Sequence, residues 1–355
     1  MDQLIVIPAL NPGEGLIEYV DTLLADGYKN ILAVDDGSRD DLRHIFDEIA
    51  AKDGCEVLRH EVNMGKGRAL KDAMLWFLDK YKDTDNAPCG IITVDSDGQH
   101  IAQDVDKVAK AMIADPDALV LGARDFNKGN VPPKSRFGNK CTVVVLKLFI
   151  GGSTSDTQTG LRGIPSSMLE RFSKLPGDRF EYETQMLIDA IQSDAKIVEV
   201  PIETVYIDEN SGTHFHPIKD SLRIYSVILG TFFKYMISSL SSFVIDYVLF
   251  CTLFFLLMKG DFSENRSIWI STVVARICSS LFNYTVNKKV VFKSDRGPST
   301  LVMYYTLCVL QMAASAGLVS LVSMAGLIPV QAAKIIVDTV LFVISYRIQK
   351  SLIFK

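Results

Sequence analysis

The stretch GIITVDSDGQH, residues 90–100, runs a short apolar segment, Ile91 to Val94, into two carboxylates, Asp95 and Asp97, with Ser96 between them. Gly98 already supplies the turn that a strand end needs, so the acids call for a further reason. In an extended segment, residues two apart point to the same side, and Asp95 and Asp97 are expected to aim at one point. Two like charges that close repel unless a cation sits between or beside them. Mg²⁺ is usually held by one or two carboxylates with phosphate oxygens and water, a need this spacing meets. An ordinary Asp/Ser/Gly turn uses the same residues, so the reading depends on the neighbouring strand ends.

Those neighbours repeat the pattern. LIVIPALNPGEG (4–15) reads as a buried strand and a Pro/Gly/Asn loop, followed by a helix closed at Gly27. NILAVDDGSRDD (30–41) is a strand that ends in Asp35, Asp36 and Gly37 and leads into a second helix. The carboxylates of DDGS suit hydrogen bonds from a base or ribose, or a helix cap. CEVLRHEVNMGKGRA (55–69) gives a third strand, a Gly-flanked lysine and a helix. The lysine loop lacks P-loop spacing, yet backbone amides, a helix N-terminus and Lys66 suit phosphates. DALVLGARD (117–125) is a fifth strand. Strands alternating with helices predict a mostly parallel α/β sheet with ligands outside the carboxyl ends of the strands.

Composition sets the outer bounds. The chain has 355 residues, 48% of them hydrophobic, and a net charge of −5, which argues against nucleic acid as a partner. Six cysteines form no CxxC pair and read as reduced small hydrophobes. MDQLIVIPAL reads as a first strand and not a signal peptide, since it lacks a basic flank and is broken by Pro8.

Taken together, IVIPALN, VDDGSRD, NMGKGRA, VDSDGQH, LGAR and DTQTGLRG stand in the order and spacing of family 2 glycosyltransferases of the GT-A fold. Residues 1 to about 230 most resemble polyprenyl-phosphate glycosyltransferases and dolichol-phosphate mannose synthases. The resemblance implies a Rossmann-like catalytic domain that holds a nucleotide sugar through Pro8, Ala9, Leu10, Asn11, Asp35, Asp36, Gly37, Asn63, Gly65, Lys66, Asp95, Ser96 and Asp97. It implies a divalent metal, Mg²⁺ or Mn²⁺, on Asp95, Asp97 and Gln99. Arg124, with Ser135 and Arg136 of PPKSRFGNK, would bind the acceptor phosphate. Asp97, Arg124, Asp156 and Gln158 form the implied catalytic set, and Gly160 matches the bacterial branch. Glu183, Ser211 and His214 are second-tier candidates from FEYETQML and SGTHFHPIKDS. The first loop reads ALNP where many relatives have an aromatic and a glutamate, and YIDENSGTH lacks the Arg/Lys pair of the mannose synthases. Both departures favour a UDP-glucose-like donor over GDP-mannose.

Beyond residue 230 charge becomes sparse. Four apolar stretches, at about 233–257, 267–287, 301–324 and 331–350, can each cross a hydrocarbon core of ~30 Å. Before them, PIKDSLRIYSVILG places Ile218, Leu222, Tyr225 and Leu229 at helical spacing, as in a helix lying in the bilayer interface. The predicted organisation is therefore a GT-A domain over 1–215, an interfacial helix over 216–231 and an all-α transmembrane domain of four helices over 232–355. Basic residues cluster between the second and third spans and after the fourth, placing both termini and the catalytic domain in the cytoplasm of a multi-pass plasma-membrane protein. FNYTVNKKVVF (282–292) and ISYRIQKSLIF (344–354) close alternate spans and read as a duplicated two-helix unit. This half resembles the GtrA-like family of four-span proteins, which are proposed to move polyprenyl-linked sugars. Among charges inside the spans, Asp246 and Arg276 are expected to pair or touch a lipid phosphate, and Lys334 and Asp338 to pair locally.

The expected activity is inverting transfer of a sugar to polyprenyl phosphate, undecaprenyl or dolichyl, beside the bilayer. A homo-oligomer is compatible with it. The rival from another class is a lipid-linked sugar carrier or flippase whose N-terminal domain senses nucleotide sugar. A processive polysaccharide synthase is disfavoured, because neither Trp76 nor Trp269 stands in a QxxRW motif.

Overall fold

The structure, a computed structural model, describes residues 3–82, 84, 86–126, 133–152, 154–203, 217–260, 262–324 and 328–355, without the side chains of 133–135, 217 and 323. It divides into two compact units, Met1–Ile228 and Leu229–Lys355.

In the first unit the predicted alternation appears as β1 (Gln3–Ala9), α1 (Gly15–Ala25), β2 (Ile31–Asp35), α2 (Arg43–Ala50), β3 (Cys55–Arg59) and α3 (Lys66–Lys80). There follow β4 (Gly90–Thr93), α4 (Ala102–Ala114), β5 (Leu119–Arg124), α5 (Pro133–Phe149), β6 (Arg162–Pro165), α6 (Ser166–Ser173), α7 (Glu181–Gln192) and β7 (Ile197–Ile202). The seven strands pair in the order β3-β2-β1-β4-β6-β5-β7. All pairings are parallel except those of β6, which runs against both β4 and β5.

Side chains alternate across each strand and so feed two cores. Leu4, Val6, Leu32, Val34 and Ile91 pack on one face with Leu70, Phe77, Phe172 and Leu187 of the α3, α6 and α7 side. Ile5, Ile7, Ile31, Ala33 and Ile92 pack on the other with Val20, Phe46 and Val105 from α1, α2 and α4. A sheet covered on both faces explains why its inner strands read as continuous apolar runs. Binding chemistry is thereby confined to the edge where β1, β2, β4 and β5 end. Because β6 is reversed, its beginning lies at that same edge, opposite Thr93.

The second unit holds α9 (Glu264–Val286), α10 (Ser299–Met324) and α11 (Val330–Ile348), together with most of α8 (Pro217–Lys259). Within α8 and α10, Ile218–Lys259 and Ser299–Val322 are long and apolar enough to cross a membrane. Helices α9 and α11 lie where the second and fourth spans were expected, but Arg276, Lys334, Asp338 and Arg347 make them less apolar. The sequence reading needs one correction here: residues 217–231 are not a separate helix but the opening turns of α8. Their apolar residues divide between two faces, with Ile224 and Ile228 in the first unit's core and Ile218 and Leu222 exposed at 79% and 65%.

The repeat is visible in atoms. Both copies end in a π-helical turn, Asn287–Val291 and Gln349–Ile353. The matched amides meet, Asn287 Nδ2 donating to Gln349 Oε1 at 3.0 Å. Asp246 pairs with Arg276 at 3.6 Å, and Lys334 with Asp338 at 2.9 Å.

One turn tests how tightly the sheet edge is built. Gly37 has φ +75°, and a Cβ there would sit 2.3 Å from the Val62 carbonyl carbon. Gly37→Ala should destabilise the first unit by about 1–3 kcal/mol, combining left-handed strain with that clash. Thermal unfolding followed by circular dichroism should give a lower midpoint than wild type; equal midpoints would mean that this turn can shift away from Val62.

Candidate active site

The β1 and β2 ends are tied to each other by side chains. Asn11, a non-glycine residue at φ +48°, donates its N–H to Ser38 Oγ at 2.9 Å. Its Oδ1 accepts the Arg39 N–H at 2.9 Å. Pro8 and Ala9 lie in β1 beside Val34 and Asp35, and Leu10 is half-buried just beyond them. Asp35 Oδ1 accepts the Ser38 N–H at 2.8 Å.

Asp36 has a building role. Its Oδ1 accepts the Met64 N–H at 2.9 Å and lies 2.8 Å from His60 Nδ1, while its Oδ2 accepts the Gly65 N–H at 2.8 Å. The carboxylate expected to hold a nucleoside instead anchors the loop that leads into α3. Asn63 remains exposed on that loop. Gly65, at φ +102°, packs where a Cβ would lie 2.3 Å from the Asp178 carbonyl oxygen. Lys66 is thus launched from a fixed backbone.

From there Lys66 Nζ reaches Asp95 Oδ1 at 2.5 Å and Glu183 Oε1 at 3.1 Å. The other Asp95 oxygen lies 3.3 Å from His100 Nε2. Burial alone would raise the Asp95 pKa, but the Lys66 ammonium and His100 outweigh it and hold the carboxyl well below the usual range. Burial would likewise lower the Lys66 pKa, yet Asp95 and Glu183 push it well above the ordinary lysine value. Asp95 also packs on Gly160, where a Cβ would lie 2.2 Å from Oδ2. Thr93 Oγ1 holds that segment by donating to the Gly160 carbonyl at 2.8 Å.

Asp97 is in a different state. Burial and the neighbouring Asp95 charge raise its pKa, and among the described residues its Oδ1 accepts a backbone N–H, from Gln99 at 3.1 Å. The expected geometry needs correction. Strand β4 stops at Thr93, and Ser96 and Asp97 form a turn with Gly98 at φ +74°, so strand alternation is not what brings the acids together. Among the described residues, no three His, Cys, Asp or Glu side chains cluster to cage a metal by themselves. An under-compensated carboxylate beside the Gln99 amide does fit a hard cation that draws its remaining ligands from phosphate and water.

Arg124, at the end of β5, is held by Asp156 through two parallel bonds, Nε to Oδ2 at 2.6 Å and Nη2 to Oδ1 at 3.0 Å. Asp156 is buried and also accepts the Gln158 N–H at 3.1 Å. It therefore aims the guanidinium, and its own oxygens are engaged. Helix α5 is pinned to the same loop by Asn139, whose Nδ2 donates to the Ser155 carbonyl at 2.7 Å and whose Oδ1 accepts the Thr157 N–H at 3.1 Å. Arg136, half-buried, is one turn earlier on that helix. The Ser135 side chain, Ser211 and His214 lie outside the described residues.

Sequence reasoning did not assign site roles to three residues that the fold brings in. His100 backs Asp95, and His60 sits between Asp36 and Asp72. Arg162, 1% exposed, donates to the carbonyls of Thr159 and Glu183 at 2.9 and 2.6 Å. Only the polar letters inside VDSDGQH, RHEVN and TGLRG signalled them.

The sheet edge thus gathers acids, a lysine and an arginine where a mostly parallel α/β sheet binds its ligands. Residues 4–172 match the model of glycosyl transferase family 2, and residues 224–354 match the GtrA/DPMS transmembrane domain. An uncharacterized protein of Methanocaldococcus jannaschii is 36% identical over 58% of this chain and 82% of its own length. The UDP-N-acetylglucosamine–dolichyl-phosphate N-acetylglucosaminyltransferase of Methanococcus voltae is 30% identical over 58% of this chain and 86% of its own. The polyprenol monophosphomannose synthase of Mycolicibacterium smegmatis is 26% identical over 56% and 76%. The chain belongs to glycosyl transferase family 2 and carries a GtrA/DPMS transmembrane domain.

The Arg124–Asp156 clamp makes a direct prediction. Asp156→Asn removes one charged acceptor and lets the guanidinium drift. Misplacement of this size reduces transfer by about a hundredfold, with an unchanged circular dichroism spectrum. Wild-type turnover would show that Arg124 needs no such partner.

Proposed function

We propose that the chain transfers a sugar from a nucleotide-sugar donor, UDP-linked in preference to GDP-linked, to the phosphate of a polyprenyl lipid, inverting the anomeric carbon. The observation that carries this reading is the bidentate arginine, Arg124, aimed by a buried carboxylate at the sheet edge that also bears the acidic turn. Planar guanidinium groups bind phosphate by parallel hydrogen bonds. The Methanococcus and Mycolicibacterium relatives, by their names enzymes of dolichyl phosphate and polyprenol monophosphate, support the same acceptor.

In this reading Asn11 and Asp35 face the nucleoside, and Lys66 faces the diphosphate. Asp97 and Gln99, with Asp95, would hold Mg²⁺ or Mn²⁺, and such an ion would supply Lewis-acid stabilisation of the departing diphosphate. Arg124 and Arg136 align the acceptor phosphate. A phosphate oxygen forms the new bond to C1 as the bond from C1 to the diphosphate breaks, and the nucleoside diphosphate leaves with the electron pair. The acceptor is already an anion, so no side chain need remove a proton.

The membrane supplies the acceptor. Helix α5 carries Phe137, Val144 and Leu148 exposed along one face, with Lys140 and Lys147 exposed beside them. Apolar residues flanked by lysines suit an interfacial helix next to Arg136. The exposed Ile218 and Leu222 of α8 suit the same surface. In this reading α8 to α11 make four spans, and the placement of basic residues puts the catalytic unit and both termini in the cytoplasm.

The test is transfer of radiolabelled sugar from a panel of UDP- and GDP-sugars into organic-extractable lipid, using undecaprenyl phosphate as acceptor. Wild type should label the lipid, and Asp97→Ala should lower labelling at least about a hundredfold while remaining folded. Label that stays water-soluble with every donor would favour a nucleotide-sugar-sensing carrier instead.

A further inference from the structure

We infer that Lys66 is a latch: it holds Asp95 when the site is empty and moves onto Glu183 when the cation and the donor diphosphate arrive. This rests on the proposed role of the acidic turn in cation binding and adds a positioning role for Glu183. The ammonium lies between two carboxylates, 2.5 Å from Asp95 and 3.1 Å from Glu183, and the Lys66 and Glu183 side chains are only 17% and 8% exposed. One cation thus serves two acids, and a third acid, Asp97, lies close enough for the Asp95 charge to reach it.

The backbone on either side of Lys66 cannot follow a ligand. Asp36 pins Gly65, and Gly67 packs where a Cβ would lie 2.5 Å from Tyr182 Cβ. Only the four-carbon stem is free to turn, and both anchors are already within reach of its tip. Glu183 is itself fixed, since it stands in the first turn of α7 and its carbonyl accepts the buried Arg162 guanidinium. The charges that reach Arg162 include those of Glu183, Asp156 and Asp95, so the acids are compensated as one group.

A divalent ion approaching Asp95 meets an ammonium already seated there. Like charges at that range repel, so the ion alone binds weakly while the latch is closed. A diphosphate, together with Glu183, gives Lys66 the anions it needs to release Asp95. Cation and nucleotide therefore bind cooperatively, and each strengthens the other by the same factor.

The experiment is a Mn²⁺ titration of the full chain in detergent, read as free Mn²⁺ by electron paramagnetic resonance, with and without UDP, and with GDP in parallel. For wild type, nucleotide should tighten Mn²⁺ binding about tenfold or more. Lys66→Met should bind Mn²⁺ alone about tenfold more tightly than wild type and lose most of the nucleotide effect. Glu183→Gln should do the reverse, weakening Mn²⁺ binding because Lys66 then has only Asp95. Nucleotide phosphates also ligate the ion directly, so the wild-type comparison tests the cooperativity. Lys66→Met, checked for a wild-type circular dichroism spectrum, tests the latch, with Lys66→Gln as a second variant should Lys66→Met misfold. Nucleotide-independent Mn²⁺ binding by wild type, or equal Mn²⁺ affinity in Lys66→Met and wild type, overturns the latch. Asp97→Asn separates the two readings: undiminished Mn²⁺ binding there sinks the acidic-turn assignment itself, whereas its loss beside an unaltered Lys66→Met titration sinks the latch alone.

Discussion

A carboxylate drawn partly out of water beyond the end of a strand has to be compensated, and at Asp95 two separate pieces of chain do this while a third leaves room for it. Lys66 comes from the start of α3 and His100 from beyond the acidic turn, and Gly160, in the loop before β6, packs against the carboxylate. Each depends on a different feature of the fold. The lysine needs the Asp36-anchored loop, and the glycine needs a strand that runs backwards. Removing one cation from such a group leaves a charge unmatched in a poorly solvated place, which is far worse than never having built the pair. The edge of the sheet is therefore rigid before any ligand binds, as an electrostatic site requires.

The acids at this edge divide into those that build and those left available. Asp36 is occupied by two backbone amides and a histidine, and Asp156 by a guanidinium and the Gln158 N–H. Among the described residues Asp97 accepts one backbone N–H, and it bears a raised pKa. Neighbouring carboxylates of identical type thus hold opposite roles, and environment alone assigns them.

This division explains what could be read in advance. Strands β1 to β5 were legible because apolar runs stop at Pro, Asn, Asp and Gly, and the motifs at their ends converge as expected. Strand β6 was not, since four residues reading Arg-Gly-Ile-Pro carry neither alternation nor β-branched density beyond Ile164. Its reversed direction comes from pairing with β4 and β5, which is a tertiary fact. Nor could adjacency separate Asp35 from Asp36, since the Asp36 partners lie more than twenty residues further on. Glu183 was noticed only through likeness, because no local pattern joins it to Lys66, which lies on a different helix far earlier in the chain. The apolar stripe before the spans lies in a helix that does not end where the spans begin.

In the second unit polar groups do the work that acids do in the first. An amide or hydroxyl buried between helices is costly unless another polar group of the protein meets it. Tyr304 OH donates to Asn283 Oδ1 at 2.8 Å, Asn287 Nδ2 to Asn283 Oδ1 at 3.0 Å, and Gln349 Nε2 to both Tyr235 OH and Ser345 Oγ at 3.2 Å. The two copies of the repeat exchange partners: the tyrosine of each first helix serves the other copy's second helix. Hydrophobic packing alone is permissive about how helices slide in lipid, because a leucine meets tails as readily as another leucine. A crossed set of amides and hydroxyls accepts one register and penalises its neighbours. The same reasoning fits the π-helical turns, which place Asn287 and Gln349 where an unbroken helix changes its hydrogen-bond pattern. Duplication therefore does more than double the apolar surface: it creates the paired amides through which one hairpin fixes the register of the other.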